Sequence, residues 1–238
     1  PIDAAHARKV TADLVSLLKN LEQESDGRFK IARTAAEISA CLEQNVMAAV
    51  MHFEGAEAIR PDLSNLDDYY RQGLRSLGPV WSRSNAFGHG VPFNFPDSPD
   101  IGPGLTAAGK ELVRLCNQLG ILLDLSHMNE KGFWDVAGLT QAPLVATHSG
   151  AHAVCPSARN LTDAQLDAIG ETGGLVGVNF HVGFLRADGQ EDEATPLQDI
   201  VRHIDYIAGR IGSEHVALGS DFDGATMPRD LADRTSSG

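Results

Sequence analysis

Cysteine is scarce in this chain of 238 residues: Cys41, Cys116 and Cys155 form no CxxC pair and no even framework. Disulfide scaffolds and thiolate metal sites are thereby disfavoured, and any metal should rest on histidine and carboxylate. Basic residues are few as well. The 19 Lys and Arg stand against 32 Asp and Glu, and the net charge of -13 argues against nucleic acid and anionic membrane as partners. No apolar run approaches the roughly 18 residues that would span a bilayer. No basic start followed by an apolar middle opens the chain, so the expected compartment is cytoplasmic. Charged residues at 21% and hydrophobic residues at 42% are ordinary globular usage and speak against long disordered tails.

What is present is a regular alternation of helical and extended patterns. Val10, Leu14, Leu17, Leu18 and Leu21 recur at helical spacing and predict an amphipathic helix over 2–21. Thr34 and Glu37 predict a capped helix over 34–43, and the apolar run 46–53 a strand buried on both faces. Residues 67–77 read as helix and 80–81 as a short strand. Gly, Pro, Asn and Asp crowd residues 88–104, which should form a long, shaped loop of functional use. Thr106 caps the next helix, whose buried face is Leu112, Val113, Leu115, Cys116 and Leu119. Strand, helix and strand follow over 121–125, the intervening segment and 143–147. A helix over 162–172, a strand over 174–180, a helix from Pro196 with Ile200, Ile204, Ile207 and Ile211 inward, and a strand over 216–219 complete the series. Such alternation favours a parallel α/β domain, and the length lies near the lower end for an eight-fold barrel.

Four of the apolar runs end alike: at Glu54, His127, His148 and Asp221. Parallel strands would bring these ends together at the carboxyl edge of the sheet, where α/β folds place their chemistry. Two imidazoles, a carboxylate able to bridge and a further carboxylate suit a borderline divalent ion such as zinc. Metal charge lets hydroxide exist at neutral pH, and a free carboxylate accepts its proton. Each residue also has a plainer reading: His127 or His148 as a hydrogen-bonded core histidine, Glu54 as a helix cap, Asp221 as turn chemistry. Asp221 is preferred to Asp223 because Asp223-Gly224 looks like a turn. His52 reads as packing, and His203, although part of a His-x-Asp pattern, lies on the isoleucine helix. Arg159 could clamp a carboxylate or sit solvated in a loop, and His152 could meet substrate at the mouth.

The segments HFEGAEAI, DLSHMNEKGFWDV, APLVATHSGAHAVCPSARNLTD, GGLVGVNF and HVALGSDFDGA, in this order, resemble the renal or membrane dipeptidase family. The resemblance covers nearly the whole chain. It implies a (β/α)8 TIM-type barrel in one domain over 1–238, two zinc ions, and hydrolysis of dipeptides, often with a D residue at the C-terminal position. It makes Glu54 the carboxylate bridging both metals, His127 and His148 ligands of one zinc, Asp221 the acid/base and Arg159 the holder of the substrate carboxylate. A histidine that some members carry after the third strand is replaced here by Trp81-Ser82-Arg83-Ser84-Asn85. The family's opening His-x-Asp strand has no match after Pro1, and the chain stops at Ser236-Ser237-Gly238 without closing helices, so an incomplete barrel from a longer protein is expected. Its partners should be small dipeptides, with a homodimer as the assembly. Two other classes stay open: a related barrel hydrolase acting on acyl-amino acids or lactones, and a non-catalytic relative with a degraded metal pair.

Overall fold

The computed structural model describes residues 2–231, and the expectations placed on Pro1 and on 236–238 lie outside the described residues. Its helices are α1 (Ala4–Glu24), α2 (Ala35–Glu43), α3 (Leu66–Gln72), α4 (Ala107–Leu119), α5 (Glu130–Leu139), α6 (Asp163–Glu171) and α7 (Leu197–Ile211). Its strands are β1 (Phe29–Ile31), β2 (Met47–Ala49), β3 (Met51–Glu54), β4 (Leu74–Gly78), β5 (Leu122–Leu123), β6 (Val145–Ser149), β7 (Leu175–Asn179) and β8 (Val216–Gly219). Every strand pairing is parallel, in the orders β1-β2, β3-β4-β5 and β6-β7-β8. A single parallel bridge from Asp124 to Val145 joins the second sheet to the third. The fold is therefore mixed α/β with parallel sheets, and no closed barrel forms among the described residues.

Helix boundaries follow the capping chemistry. Thr34 Oγ1 accepts from the Glu37 N–H, Thr106 Oγ1 from Gly109, and Thr162 forms a reciprocal box with Gln165. Gly120, at φ 71, ends α4 in the left-handed conformation that glycine adopts without a Cβ penalty. Between helices and sheets lies one contiguous core, in which Phe87, Phe133, Leu112, Leu166 and Ile207 are wholly enclosed. No helix among the described residues is long and apolar enough to cross a membrane.

Several expectations are corrected. The run 46–53 is two strands: β2 pairs with β1, and β3, offset by a register shift at Met51/His52, pairs with β4. Residues 67–77 are helix only to Gln72; Gly73, at φ 121, stops α3, and Leu74–Gly78 is the strand, in place of 80–81. That strand, Leu-Arg-Ser-Leu-Gly, has no β-branched or aromatic residue, and its place between β3 and β5 overrides its weak local preference. Strand β1 was not anticipated. In α1 only Val15 is buried; Val10, Leu14, Leu17 and Leu21 are exposed, and Leu18 touches the core. The helix predicted by the leucine spacing is present, with most of its apolar face exposed.

Candidate metal centre

Of the four run ends expected to gather, Glu54, His127 and His148 meet closely, and Asp221 lines the cleft beside them. Glu54, the last residue of β3, places Oε1 2.8 Å from His127 Nε2 and 3.2 Å from His148 Nε2, and the two imidazole nitrogens are 2.8 Å apart. Among the described residues this is the one group of three or more His, Cys, Asp or Glu side chains spaced to share an ion. Both imidazoles are buried, whereas Glu54 is half-exposed.

Why these rings meet is legible in the join between β5 and β6, where one backbone bridge is all the ladder provides. Side chains take over: Asp124 Oδ1 accepts from the Ser126 and Thr147 N–H groups at 3.0 and 2.8 Å, and Ser126 Oγ accepts from the His148 N–H at 3.0 Å. The pairing of β6 with β7 shifts register between Ala146 and Ser149, and such a bulge re-aims the side chains it contains, here Thr147 and His148. His127 stands at φ 67 and Asp221 at φ 61, in the left-handed region that costs a non-glycine residue about 1 kcal/mol. Backbone strain of this kind is tolerated where the surroundings over-determine it, and it collects at working sites.

Hydroxyl groups fix which nitrogen of His148 is free. Thr147 Oγ1 donates to Asp124 Oδ2 at 2.6 Å, so at 2.8 Å from His148 Nδ1 it acts as acceptor and holds the ring proton there. Nε2 of His148 therefore points its lone pair at Glu54. Ser82 Oγ lies 2.7 Å from His127 Nδ1 and occupies that nitrogen, which turns Nε2 toward the cluster. Two imidazole nitrogens and a carboxylate oxygen facing one another repel unless a cation stands among them, so the donor set fits a divalent metal. Replacing Thr147 by Val should weaken metal binding roughly 10- to 100-fold, which competition with a chelating dye measures.

Charge and burial complete the picture. The facing His127 and His148 rings, charged whenever they take up a proton, hold the Glu54 carboxyl well below the usual carboxylate range. Burial and the Arg159 charge push His127 down to about 3, although Glu54 pulls it up. Between the ordinary value of 6.5 and that level, the unfolded chain binds a proton that native His127 refuses. Stability of the metal-free protein should therefore rise with pH across that window, with Glu54 adding to the loss on the acid side. Urea melts at about pH 4 and pH 7 check it, through a lower midpoint at the acid end. Burial pushes the enclosed Asp124 up, but the facing His148 and His52 rings and the Thr147 bonds outweigh it and keep the carboxyl low.

The other sequence-derived residues fall around this cluster. Asp221 lines, with Glu54, His148 and His52, a cleft of about 740 Å³ between β3 and β8, and its Oδ2 accepts from Asn179 Nδ2 at 3.1 Å. Arg159 is buried, donates from Nη2 to the His148 carbonyl at 3.0 Å, lies 5.4 Å over the Phe184 ring, and leaves Nε without a partner. His152 spends Nε2 on the Asp97 carbonyl at 2.9 Å. The loop 88–104 does contribute: Phe93 stands 5.5 Å from Trp81 and 6.4 Å from His127, walling the cluster. Residues 80–82, expected as strand or as an empty place for a histidine, supply Val80 to the core and Ser82 to His127. Asp124, Thr147, Ser82 and Asn179 were not singled out from sequence. A charged residue inside the apolar run 121–125 was the available signal for Asp124.

A parallel α/β sheet whose carboxyl edge gathers two imidazole nitrogens and a carboxylate is the architecture of a metal-dependent hydrolase. The chain belongs to the membrane dipeptidase family, peptidase family M19, whose sequence profile matches residues 1–237. A Klebsiella pneumoniae relative, named an uncharacterized protein in the pqqA 5′ region, is 54% identical over 92% of this chain and 81% of its own length. Dipeptidase tcpJ of Claviceps purpurea is 29% identical over 93% of the chain, which spans about half of that relative, 51%. A crystal structure of a metallo peptidase from Rhodobacter sphaeroides, liganded with a phosphinate mimic of the dipeptide L-Ala-D-Ala, superposes with a TM-score of 0.94. It is 51% identical and covers 100% of this chain, which covers 71% of it.

Proposed function

We propose that this chain carries the active centre of a zinc-dependent dipeptidase, built on part of a (β/α)8 barrel. The observation that carries the reading is the convergence of Glu54 Oε1, His127 Nε2 and His148 Nε2 within hydrogen-bonding distance of one another. The parallel order of β3-β4-β5 and β6-β7-β8, joined by the Asp124–Val145 bridge, supports the barrel, and the dipeptide mimic held by the Rhodobacter relative supports the substrate class.

Glu54, His127 and His148 would hold the metal. When bound, it supplies Lewis-acid charge that lowers the pKa of water and polarises a carbonyl. Asp221 takes the proton of the attacking water and returns it to the leaving amine; Asn179 occupies Oδ2, so the proton travels on Oδ1. Arg159 receives the substrate's free carboxylate on its unpartnered Nε edge, with the Phe184 ring beneath the guanidinium. A longer peptide has no carboxylate at that distance, which limits the substrate to dipeptides. His152 belongs at the rim of the same pocket, with Nδ1 as the atom left for substrate.

Metal analysis of the purified protein, with a panel of dipeptides, acylated amino acids and lactones, tests the reading. Bound zinc together with preferential cleavage of dipeptides is the expected result. Preference for acylated amino acids or lactones would replace the substrate, and absence of any metal affinity would discard the hydrolase.

A further inference from the structure

Away from the metal ligands, His203 is a fully buried imidazole with no role in the chemistry above. It sits on α7 among the inward isoleucines, yet both ring nitrogens are spent on loop backbone. Nδ1 accepts from the Ala151 N–H at 2.9 Å, so the ring proton lies on Nε2, which donates to the Leu185 carbonyl at 3.1 Å. Burial pushes this imidazole down to about 4, so the tautomer persists at neutral pH.

Asn160 works beside it. Its Oδ1 accepts from the Gly150 N–H, and its Nδ2 donates to the carbonyls of Cys155 and Phe184, each at 2.9 Å. Two side chains thus satisfy backbone groups on two separate segments, the loop 150–160 and the short 3-10 turn Val182–Phe184 with its Leu185 cap. Gly150 lies where both close in: a Cβ there would meet Asn160 Oδ1 at 2.6 Å and His203 Nδ1 at 2.8 Å. These two segments are the ones that hold Arg159. Its own backbone belongs to the first, and the ring beneath its guanidinium, Phe184, belongs to the second.

We propose that His203 is a positioning residue for Arg159: with Asn160 it clamps loop 150–160 to the Val182–Phe184 turn, fixing the guanidinium beside the metal ligands. The role attributed to Arg159 rests on the dipeptidase reading; the clamp itself does not. A void at 203 leaves the Ala151 N–H and the Leu185 carbonyl unpaired in the interior, and the two segments part. The guanidinium then loses its fixed aim, while the cluster of Glu54, His127 and His148, held through Asp124, Ser126 and Thr147, keeps its own supports.

The test has two independent readouts on the metal-loaded full chain, with variants His203→Ala, His203→Asn and Gly150→Ala. The first is labelling of Arg159 by phenylglyoxal, followed by mass spectrometry, which needs no activity. His203→Ala and Gly150→Ala should raise the labelling rate at least about tenfold, and His203→Asn, which returns an acceptor near the Nδ1 position, should recover much of the protection. The second is the ratio of kcat/KM for a dipeptide to that for its C-terminal amide. His203→Ala should raise KM for the dipeptide about tenfold and shrink that ratio, with metal content kept, and the shift should vanish in an Arg159→Ala background. Unchanged Arg159 labelling in both His203→Ala and Gly150→Ala overturns the clamp whatever the substrate. Loss of metal and kcat with the ratio intact reduces His203 to general structural support. A wild-type chain that binds metal and cleaves no dipeptide sinks the dipeptidase reading alone, and the labelling result still decides the clamp.

Discussion

Glu54→Gln should cost at least about 10³-fold in kcat/KM together with loss of the bound metal, since supporting residues alone are worth 10- to 100-fold. The argument is electrostatic. Glu54 Oε1 faces both Nε2 atoms, and its carboxyl is held charged far into acid by them. The amide keeps the shape and removes the charge, and its N–H can pair with an imidazole lone pair that in the metal-free wild type faces another acceptor. The metal-free variant should therefore melt no lower than metal-free wild type while failing to take up zinc. That pairing of an intact fold with an absent metal separates a lost ligand from a damaged structure. Metal analysis after gel filtration and a thermal scan without metal are sufficient; a variant that retains zinc at full stoichiometry contradicts the assignment.

Arg159→Ala should raise KM for dipeptides about 100-fold with a smaller change in kcat, the cost of a charge-assisted, two-point contact in a dry pocket. Arg159→Lys should not restore binding, because an ammonium cannot offer the planar fork. Arg159 also donates to the His148 carbonyl, so some loss of kcat and of thermal stability accompanies the change. A dipeptide amide separates the two effects: it should bind the wild type poorly and respond far less to either substitution. Equal losses for acid and amide would remove the carboxylate role and leave Arg159 as a support for His148.

The parts of this site that were legible in the sequence are those that end strands. Glu54, His127, His148 and Asp221 each follow an apolar run, and parallel geometry carries such ends to one edge whatever lies between them. The supporting groups were hidden because their partners are distant: Ser82 meets His127 across 45 residues and Thr147 meets Asp124 across 23. Nothing local marks a serine as the brace of one particular histidine. The same contrast governs the fold. Helices α2, α4, α6 and α7 announced themselves by caps and a 3.6 period, which are local. Strand β4 did not, since only its neighbours make Leu-Arg-Ser-Leu-Gly extended, and the leucines of α1 gave its type without its environment. His203 shows the reverse failure: its helical setting was read correctly and suggested packing, while its two loop partners lie 52 and 18 residues away.

The left-handed backbone at His127 and Asp221 sets protein engineering at odds with itself. Glycine would relax the backbone at both; at the enclosed His127 the void left behind outweighs that relief, but at the more exposed Asp221 a library sorted only for heat resistance or expression gains by erasing the proposed proton carrier. Any campaign to harden this scaffold must sort on turnover at the same time, or shield the Asp221 codon from randomisation.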